Sequence, residues 1–390
     1  MIRAITATLS PTLTQELALS AQDLGLLAGG YFLGFAATQL PLGKWLDKHG
    51  PKKVLLSFLV VAVLGCIAFA LAQSFMGLWL ARVLCGVGVS ACLMAPLTGY
   101  RRWMAPGAQL RANSWMLMTG SLGMVSSTLP VQWLMPIMGW RAIFAGLAVL
   151  VVLSMVMIYV LVPVWEKPET EPQDLQLKAI ETEEGYGPVW RSAYFWRMAP
   201  IGFFCYGGLL ALQTLWAAPW MTVVGGYSPL DAATGLFAIN LAMLVTFWAW
   251  GLVTPRLAKL GFLPNQIIAW GQPISFGVLA WIIVSGPQLG DNTAWVLSLF
   301  CISSTFVSLA QPAVGMAFPP HLAGRALSAY NLVIFVGVFV VQWGIGLGVD
   351  FFKSLGWPPV LAFQSAFSVF GVCATLSYVY FHWANRDNSA

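Results

Sequence analysis

The sequence predicts an all-α polytopic membrane protein built from two bundles of six helices, and three features of the chain indicate this. Only 8% of the 390 residues are charged and 59% are hydrophobic, whereas a soluble domain carries about a quarter charged residues. The hydrophobic residues fall into successive blocks of about 20, the length that a helix needs to cross a bilayer. One long polar stretch divides these blocks, together with a shorter one at the start of the chain, into two groups of six.

The apolar blocks define the spans in order, which we number 2 to 12: 23–43, 54–73, 75–99, 112–134, 141–163, 198–222, 230–252, 264–286, 293–316, 327–350 and 358–383. Residues 1–13 form span 1, which at ~1.5 Å per residue reaches only about 20 Å, short of a hydrocarbon core of about 30 Å. This span is therefore expected to be truncated to about half. We expect the native protein to begin upstream of Met1, and residues 1–13 lack the pattern of a signal peptide.

The long polar stretch, residues 164–193, predicts the boundary between the two bundles. It holds half of the 14 acidic residues: Glu166, Glu169, Glu171, Asp174, Glu181, Glu183 and Glu184. A charged stretch of this kind is usually a solvated linker. The expected organisation is a first bundle at 1–163, a linker at 164–193 and a second bundle at 194–390.

The loops on one side of the predicted membrane carry most of the cations: Lys44, Lys48, Lys52, Lys53, Arg101, Arg102, Arg111, Lys167, Lys178, Arg191, Arg197, Arg256, Lys259, Arg325 and Arg386. The opposite loops carry only Arg141 and Lys353. By the positive-inside rule the basic side is cytoplasmic. The sequence thus predicts an inner (cytoplasmic) membrane protein with both termini in the cytoplasm.

Several classes of function are disfavoured by the pattern of reactive residues. The six cysteines lie inside apolar blocks without metal-like spacing, so we expect them to be small core residues: Cys66, Cys85, Cys92, Cys205, Cys301 and Cys373. The three histidines, His49, His321 and His382, lie in loops or at a helix end. No basic run resembles a nucleic-acid patch, and no acids cluster at membrane depth as an embedded enzyme would require. We expect no metal, no cofactor and no catalysis, and a monomer whose partners are the bilayer and a small solute.

The loop between spans 2 and 3 carries a motif: Gly43-Lys-Trp-Leu-Asp47-Lys48-His-Gly50-Pro-Lys52-Lys53. It resembles the signature loop of the major facilitator superfamily, and this resemblance implies a 6+6 helical fold and transport by alternating access. The glycines are expected to allow a tight turn. The resemblance casts Asp47 as a latch at the positive N-terminal end of span 11, near Gly324 to Ser328. The alternative is a solvated turn that only fixes topology.

Span 4 carries an intramembrane arginine in the sequence Arg82-Val-Leu-Cys-Gly86, which resembles a second signature of the same superfamily. An arginine near the bilayer centre costs at least ~2.5–3.5 kcal/mol. We therefore expect Arg82 to face a central cavity, within reach of spans 1, 5 or 7. The alternative is a structural cation that snorkels or binds carbonyl groups.

Span 1 begins Arg3-Ala-Ile-Thr-Ala-Thr-Leu-Ser-Pro11, which resembles the organic-anion and nitrate-type branches of the superfamily. In the organic-anion branch an arginine at the place of Arg3 binds substrate carboxylate. That branch has an Asp where Ile2 stands here and a Glu where Val89 stands. The nitrate porters have an Arg where this chain has Gln39, so neither branch match is complete.

The resemblance places spans 7 and 10 around the cavity with spans 1 and 4. The polar and aromatic candidates there to bind the neutral part of a solute are Tyr206, Gln213, Trp216 and Gln311. The alternative for each is an interhelical hydrogen bond. In span 5, Gly120 and Gly123 are expected to permit close helix packing.

These observations predict a secondary transporter of a small polar, anionic solute. Arg3 and Arg82 are cations within predicted spans that lack an acidic partner, and a guanidinium group matches the geometry of a carboxylate. A small organic acid or amino-acid-like solute is the leading interpretation. A nitrate or nitrite porter remains open, as does a non-transporting receptor or scaffold on the same fold.

Overall fold

The computed structural model describes residues 1–163 and 185–384, which are helical almost throughout. The first part contains six helices, named α1 to α6 after the predicted spans. Their bounds are Ile5–Leu17 for α1, Ala21–Ala37 and Gln39–His49 for α2, Pro51–Leu71 for α3, Phe75–Val89 and Ala91–Trp103 for α4, and Pro106–Ser126 for most of α5. The next segment, Leu129–Leu161, is broken at Gly139 (φ 71°), which separates the end of α5 from α6.

The second part contains helices α7 to α12. Their bounds are Ala193–Ile201, Gly202–Tyr206, Gly207–Ala211, Leu212–Trp216 and Ala217–Val223 for α7, Pro229–Lys259 for α8, Pro264–Ser285 for α9, Thr293–Ser304, Thr305–Leu309 and Ala310–Met316 for α10, Pro320–Ser354 for α11 and Pro359–Trp383 for α12. A short helix, Gly187–Arg191, lies in the predicted linker. Residues 164–184 of the linker and the tail with Arg386 lie outside the described residues.

The predicted fold class is confirmed. In the part of the chain that the structure describes, eight helical stretches are long and apolar enough to cross a membrane. The outward face of α6 exposes a series of large apolar side chains: Val149, Leu150, Leu153, Val156, Met157 and Val160. A surface of this kind is suited to hydrocarbon rather than to water, and the helical backbone satisfies its own hydrogen bonds there.

The break in α2 coincides with a proline. Pro41 has no N–H to donate to the carbonyl of Ala37, and α2 breaks at Thr38 before continuing to His49. The predicted span ended at residue 43, because the polar last turns carry no hydrophobic signal.

In α7, the segments Gly202–Tyr206 and Leu212–Trp216 are π-helical.

The two halves meet where α2 packs against α11, where α1 packs against α7 and α8, and where α5 packs against α8. We call the end of the bundle that carries residues 44–53 the basic end and the opposite end the distal end. Near the distal end, a Cβ atom on Gly25 would collide with the carbonyl of Gln342, and one on Gly346 with the carbonyl of Ala21. The backbones of α2 and α11 are therefore in direct contact there.

Three expectations about small residues are wrong. Gly43 lies inside a helix, and the turn forms at Gly50 alone, whose φ of 78° favours glycine. A Cβ atom on Gly120 would meet nothing within 4 Å, and one on Gly123 only the Met1 amino nitrogen at 3.1 Å, so these glycines do not bring helices together. Cys92 is exposed rather than buried.

Candidate functional site

Arg82 lies at the centre of the candidate site. Its side chain is 0% exposed, and its Nη1 atom donates a hydrogen bond of 2.8 Å to the carbonyl of Ile2, just before α1. The guanidinium carbon is 5.1 Å from the ring centroid of Tyr31 in α2. Arg82 thus points toward α1 and α2 and away from lipid, as a charge at membrane depth requires.

The spacing of Arg82 and Gly86 has a structural reason. A Cβ atom on Gly86 would collide with the carbonyl oxygen of Tyr31, so only glycine lets the backbones of α2 and α4 touch at this level. Residues four apart lie on one face of a helix. The contact therefore brings the Tyr31 ring against the arginine one turn before the glycine.

Two donors of Arg82 are not used. Its Nε and Nη2 atoms are buried and have no hydrogen-bond partner among the described residues. A buried charged donor without a partner carries a desolvation penalty, and such groups call for a specific explanation. A carboxylate or another oxyanion could accept from both donors in the forked geometry that guanidinium groups favour.

Arg3 lies in the turn before α1 and is half-buried. Its Nη2 atom is 3.4 Å from the sulfur of Met124, and its charge interacts electrostatically with Tyr31 and with Tyr206 of α7. Within residues 1–163 and 185–384, neither Arg3 nor Arg82 makes an ion pair. We call Arg3, Arg82, Tyr31 and Tyr206 the arginine cluster, and it draws on both halves of the chain.

Gln213 and Trp216 lie in the second π-helical segment of α7, which packs against α1. The Nε2 atom of Gln213 donates to Oδ1 of Asn240 in α8 at 3.0 Å. The indole N–H of Trp216 donates to the carbonyl of Gln342 in α11 at 3.0 Å. Both polar groups are therefore bonded to neighbouring helices, as the alternative for these residues anticipated.

Gln311 also bonds within the second half. Its Nε2 atom donates to Oδ1 of Asn331 at 2.6 Å, which joins α10 to α11. The Nδ2 atom of Asn331 is buried without a partner in the described structure. The observed bond of Gln311 thus links two helices of one half and involves no member of the arginine cluster.

Asp47 lies at the basic end in the last turns of α2, a segment that packs against α11. The Tyr186 hydroxyl donates to the carbonyl of Leu40 at 3.0 Å and lies near the Ser328 side chain. It also interacts with the charges of Asp47 and Arg325. Burial raises the pKa of the Tyr186 phenol above its ordinary value. The structure thus gathers Asp47 and the first turns of α11 around one tyrosine.

Two lysines of the motif lie elsewhere. Lys52 donates a hydrogen bond to the carbonyl of Val162 at 2.7 Å, and its Nζ atom lies 5.2 Å from the ring centroid of Tyr159. It therefore caps the C-terminal end of α6, within the first half. Lys48 is exposed.

Tyr31 and Tyr186 were not predicted. Tyr31 lies in an apolar span, and its role depends on the α2–α4 contact at Gly86, which no local pattern reveals. Tyr186 falls in the predicted linker. Tyrosine in either setting is common, so the sequence alone carries no signal for them.

Comparison with known proteins identifies the family. The profile of the Major Facilitator Superfamily matches residues 1–342. The chain is 23% identical over 327 residues to the "Probable L-galactonate transporter" of Escherichia coli K12, with 81% of this chain and 66% of that protein covered. The chain thus spans slightly less than two thirds of this relative.

Two further relatives have related descriptions. The "Probable sulfoacetate transporter SauU" of Cupriavidus necator is 24% identical, with 81% of this chain and 75% of that protein covered. The "Hexuronate transporter" of Escherichia coli K12 is 28% identical over 144 residues, which cover 37% of this chain and 33% of that protein.

Solved structures show the same fold. A D-xylose-proton symporter superposes with a TM-score of 0.76 at 14% identity, covering 97% of this chain and 93% of the other. A bacterial homologue of the human lysosomal transporter Spinster, in an inward-facing and unoccupied conformation, gives 0.76 at 16% identity and covers 99% and 93%. With the matched profile and the described helices, these similarities establish that the chain is a multi-pass member of the major facilitator superfamily of transporters.

Proposed function

We propose that the protein is a secondary transporter that binds a small carboxylate-bearing anion at the arginine cluster and moves it across the membrane by alternating access. The observation that carries this proposal is the pair of buried, unpartnered donors on Arg82. A solute oxyanion that accepts from both would satisfy them. It would also lie beside the aromatic rings of the cluster.

The charge balance supports an anionic rather than a neutral solute. Arg3 and Arg82 bring two positive charges to one region, and no acid among the described residues pairs with either. A bound anion would supply the missing charge in surroundings where electrostatic interactions are strong. The hydroxyl groups of Tyr31 and Tyr206 are suited to hydrogen-bond further polar groups of the solute.

The relatives support a narrower substrate class. L-galactonate, hexuronates and sulfoacetate are small carboxylates that carry additional hydroxyl or sulfonate groups. We infer the same class for this chain. Nitrate and nitrite would meet the same cations but offer no hydroxyl groups to the tyrosines, so they form the second candidate.

The contacts at the basic end support a conformational latch. Asp47 and Arg325 both interact with Tyr186, so the end of α2 and the beginning of α11 are held near each other there. The concentration of lysine and arginine at this end supports a cytoplasmic orientation in the inner membrane, with both termini on that side. The distal end then faces the periplasm.

Thermal stabilisation of the purified protein tests the proposal, because a ligand of the native state stabilises it by mass action, by about 2.7 kcal/mol at a hundredfold excess over Kd. The probes are L-galactonate, glucuronate, sulfoacetate and nitrate, with galactitol as an uncharged control. We expect the carboxylates to raise Tm and galactitol not to. Arg82→Lys should weaken the affinity for the carboxylates at least about tenfold, since a compact ammonium group lacks the planar fork of a guanidinium group.

Arg141→Lys provides a matched control. Arg141 is an exposed arginine that pairs with Glu16 at the distal end, so this variant should respond as the parent does. Stabilisation by nitrate alone would favour the second candidate. A folded protein that none of these anions stabilises would contradict anion binding at the cluster and favour a receptor or scaffold.

A further inference from the structure

Asp350 connects the two halves at the distal end. It lies one turn before the end of α11, and its two carboxylate oxygens accept hydrogen bonds from the first two backbone N–H groups of α2. The bond from Ala21 N to Oδ1 is 3.2 Å and the bond from Gln22 N to Oδ2 is 2.6 Å. A side chain of the second half therefore caps a helix of the first half.

The start of α2 explains why this cap is needed. The first N–H groups of a helix have no partner within the helix. Ser20 and Asp23 form a reciprocal capping box that satisfies the N–H groups of those two residues. The N–H groups of Ala21 and Gln22 lie between them and are left to Asp350. The capping box within the first half of the protein thus serves two of these four N–H groups. Asp350, in the second half of the protein, serves the other two.

The contact depends on close approach of the two helices. Gly25 and Gly346 allow the backbones of α2 and α11 to touch next to the cap. A carboxylate at a helix N-terminus gains from the helix dipole, and its hydrogen bonds are charge-assisted and stronger than neutral ones. Separation of the helices at this end would break both bonds and leave the N–H groups and the carboxylate to water.

We propose that Asp350 is a positioning residue for the transport cycle, whose carboxylate holds the distal end closed by capping α2 across the two halves. The proposal rests on alternating access as the proposed function. Asp350 is the counterpart of Asp47, because the two carboxylates lie at opposite ends of the same α2–α11 pair. Opening of the distal end exchanges the Asp350 bonds for water and leaves the Ser20–Asp23 capping box intact.

Distance measurements between spin labels test this proposal. Labels at Met138 and Leu355 report on opening, since these residues are 48% and 55% exposed and lie at the distal end of different halves. The labels are placed in a full-length variant whose six cysteines are replaced by alanine. Asp350→Asn should increase the ratio of open to closed molecules by about tenfold, the typical difference between a charged and a neutral hydrogen bond. Asp350→Glu should restore part of the closed population.

Asp23→Asn is the matched control, because Asp23 caps the same helix start but keeps its bonds within the first half. It should not change the distance distribution. Gly346→Ala tests the same closure without altering charge, and it should widen the distal end because its methyl group collides with α2.

Two results would overturn the proposal. One is an unchanged distance distribution in both Asp350→Asn and Gly346→Ala. The other is a loss of thermal stability in Asp350→Asn without opening, which would make the cap purely structural. These outcomes are separate from the proposed function, since stabilisation by L-galactonate is measured on the unlabelled parent. A normal L-galactonate response without opening in either variant would refute the role of Asp350 alone.

Discussion

The hydrogen bond between Gln213 and Asn240 predicts a measurable coupling between α7 and α8. The two side chains are only 5% and 3% exposed, so water cannot readily replace a lost partner. Gln213→Leu would leave the Asn240 acceptor unsatisfied, and Asn240→Leu would leave the Gln213 donor unsatisfied. Each should cost ~1–3 kcal/mol. Double-mutant cycles on hydrogen bonds between membrane helices average ~0.6 kcal/mol with a maximum of ~1.7, so the double variant should cost less than the sum by that amount.

The assay is reversible unfolding of the purified protein in mixed micelles as the detergent sodium dodecyl sulfate is increased. The four proteins of the cycle are compared for free energy of unfolding and for stabilisation by L-galactonate. Both single variants should be less stable and still respond to the anion. The reasoning is refuted if Gln213→Leu unfolds like the parent but loses its response as Arg82→Lys does. Gln213 would then bind solute, as the sequence predicted.

Three further predictions concern helix contacts and the latch. Gly86→Ala should destabilise the protein by ~1–3 kcal/mol, because the added methyl group collides with the carbonyl of Tyr31. Gly120→Ala should be neutral or stabilising, because a methyl group has open space there. Melting curves of the two variants compare these effects directly. Asp47→Asn should shift the equilibrium at the basic end toward open molecules by ~0.3–1 kcal/mol. Spin-label distances across this end measure the shift, and unchanged distances would reject the latch at Asp47. Trp216→Phe should cost ~0.6 kcal/mol for its bond to a carbonyl of α11 and leave L-galactonate stabilisation intact.

The sequence predicted the fold well because hydropathy responds to the bilayer directly. The order of the helices and the fold class agree with the structure. Boundaries were less accurate where a helix continues beyond hydrocarbon, as in Pro320–Ser354, which begins seven residues before the predicted span at 327–350. In those turns helical structure persists while the apolar pattern that reports it has ended.

The candidate site was predictable in its charges but not in its contacts. A charged residue in an apolar span demands an explanation, so Arg82 was found directly. Gln213 and Trp216 were harder, because a buried amide or indole can face either a cavity or a neighbouring helix. Their partners in α8 and α11 are distant in sequence. Only the packing of the helices shows which groups each side chain meets.

The two π-helical segments of α7 affect how this chain should be aligned with its relatives. Each π turn closes its hydrogen bonds over one more residue than an α turn, and the two segments, Gly202–Tyr206 and Leu212–Trp216, are only five residues apart. A relative whose seventh helix is entirely α-helical would hold one residue fewer at each segment. An ungapped alignment across this helix would then pair Tyr206 with the wrong position in one part and Trp216 in another. Low identity in this region can therefore reflect register as well as divergence.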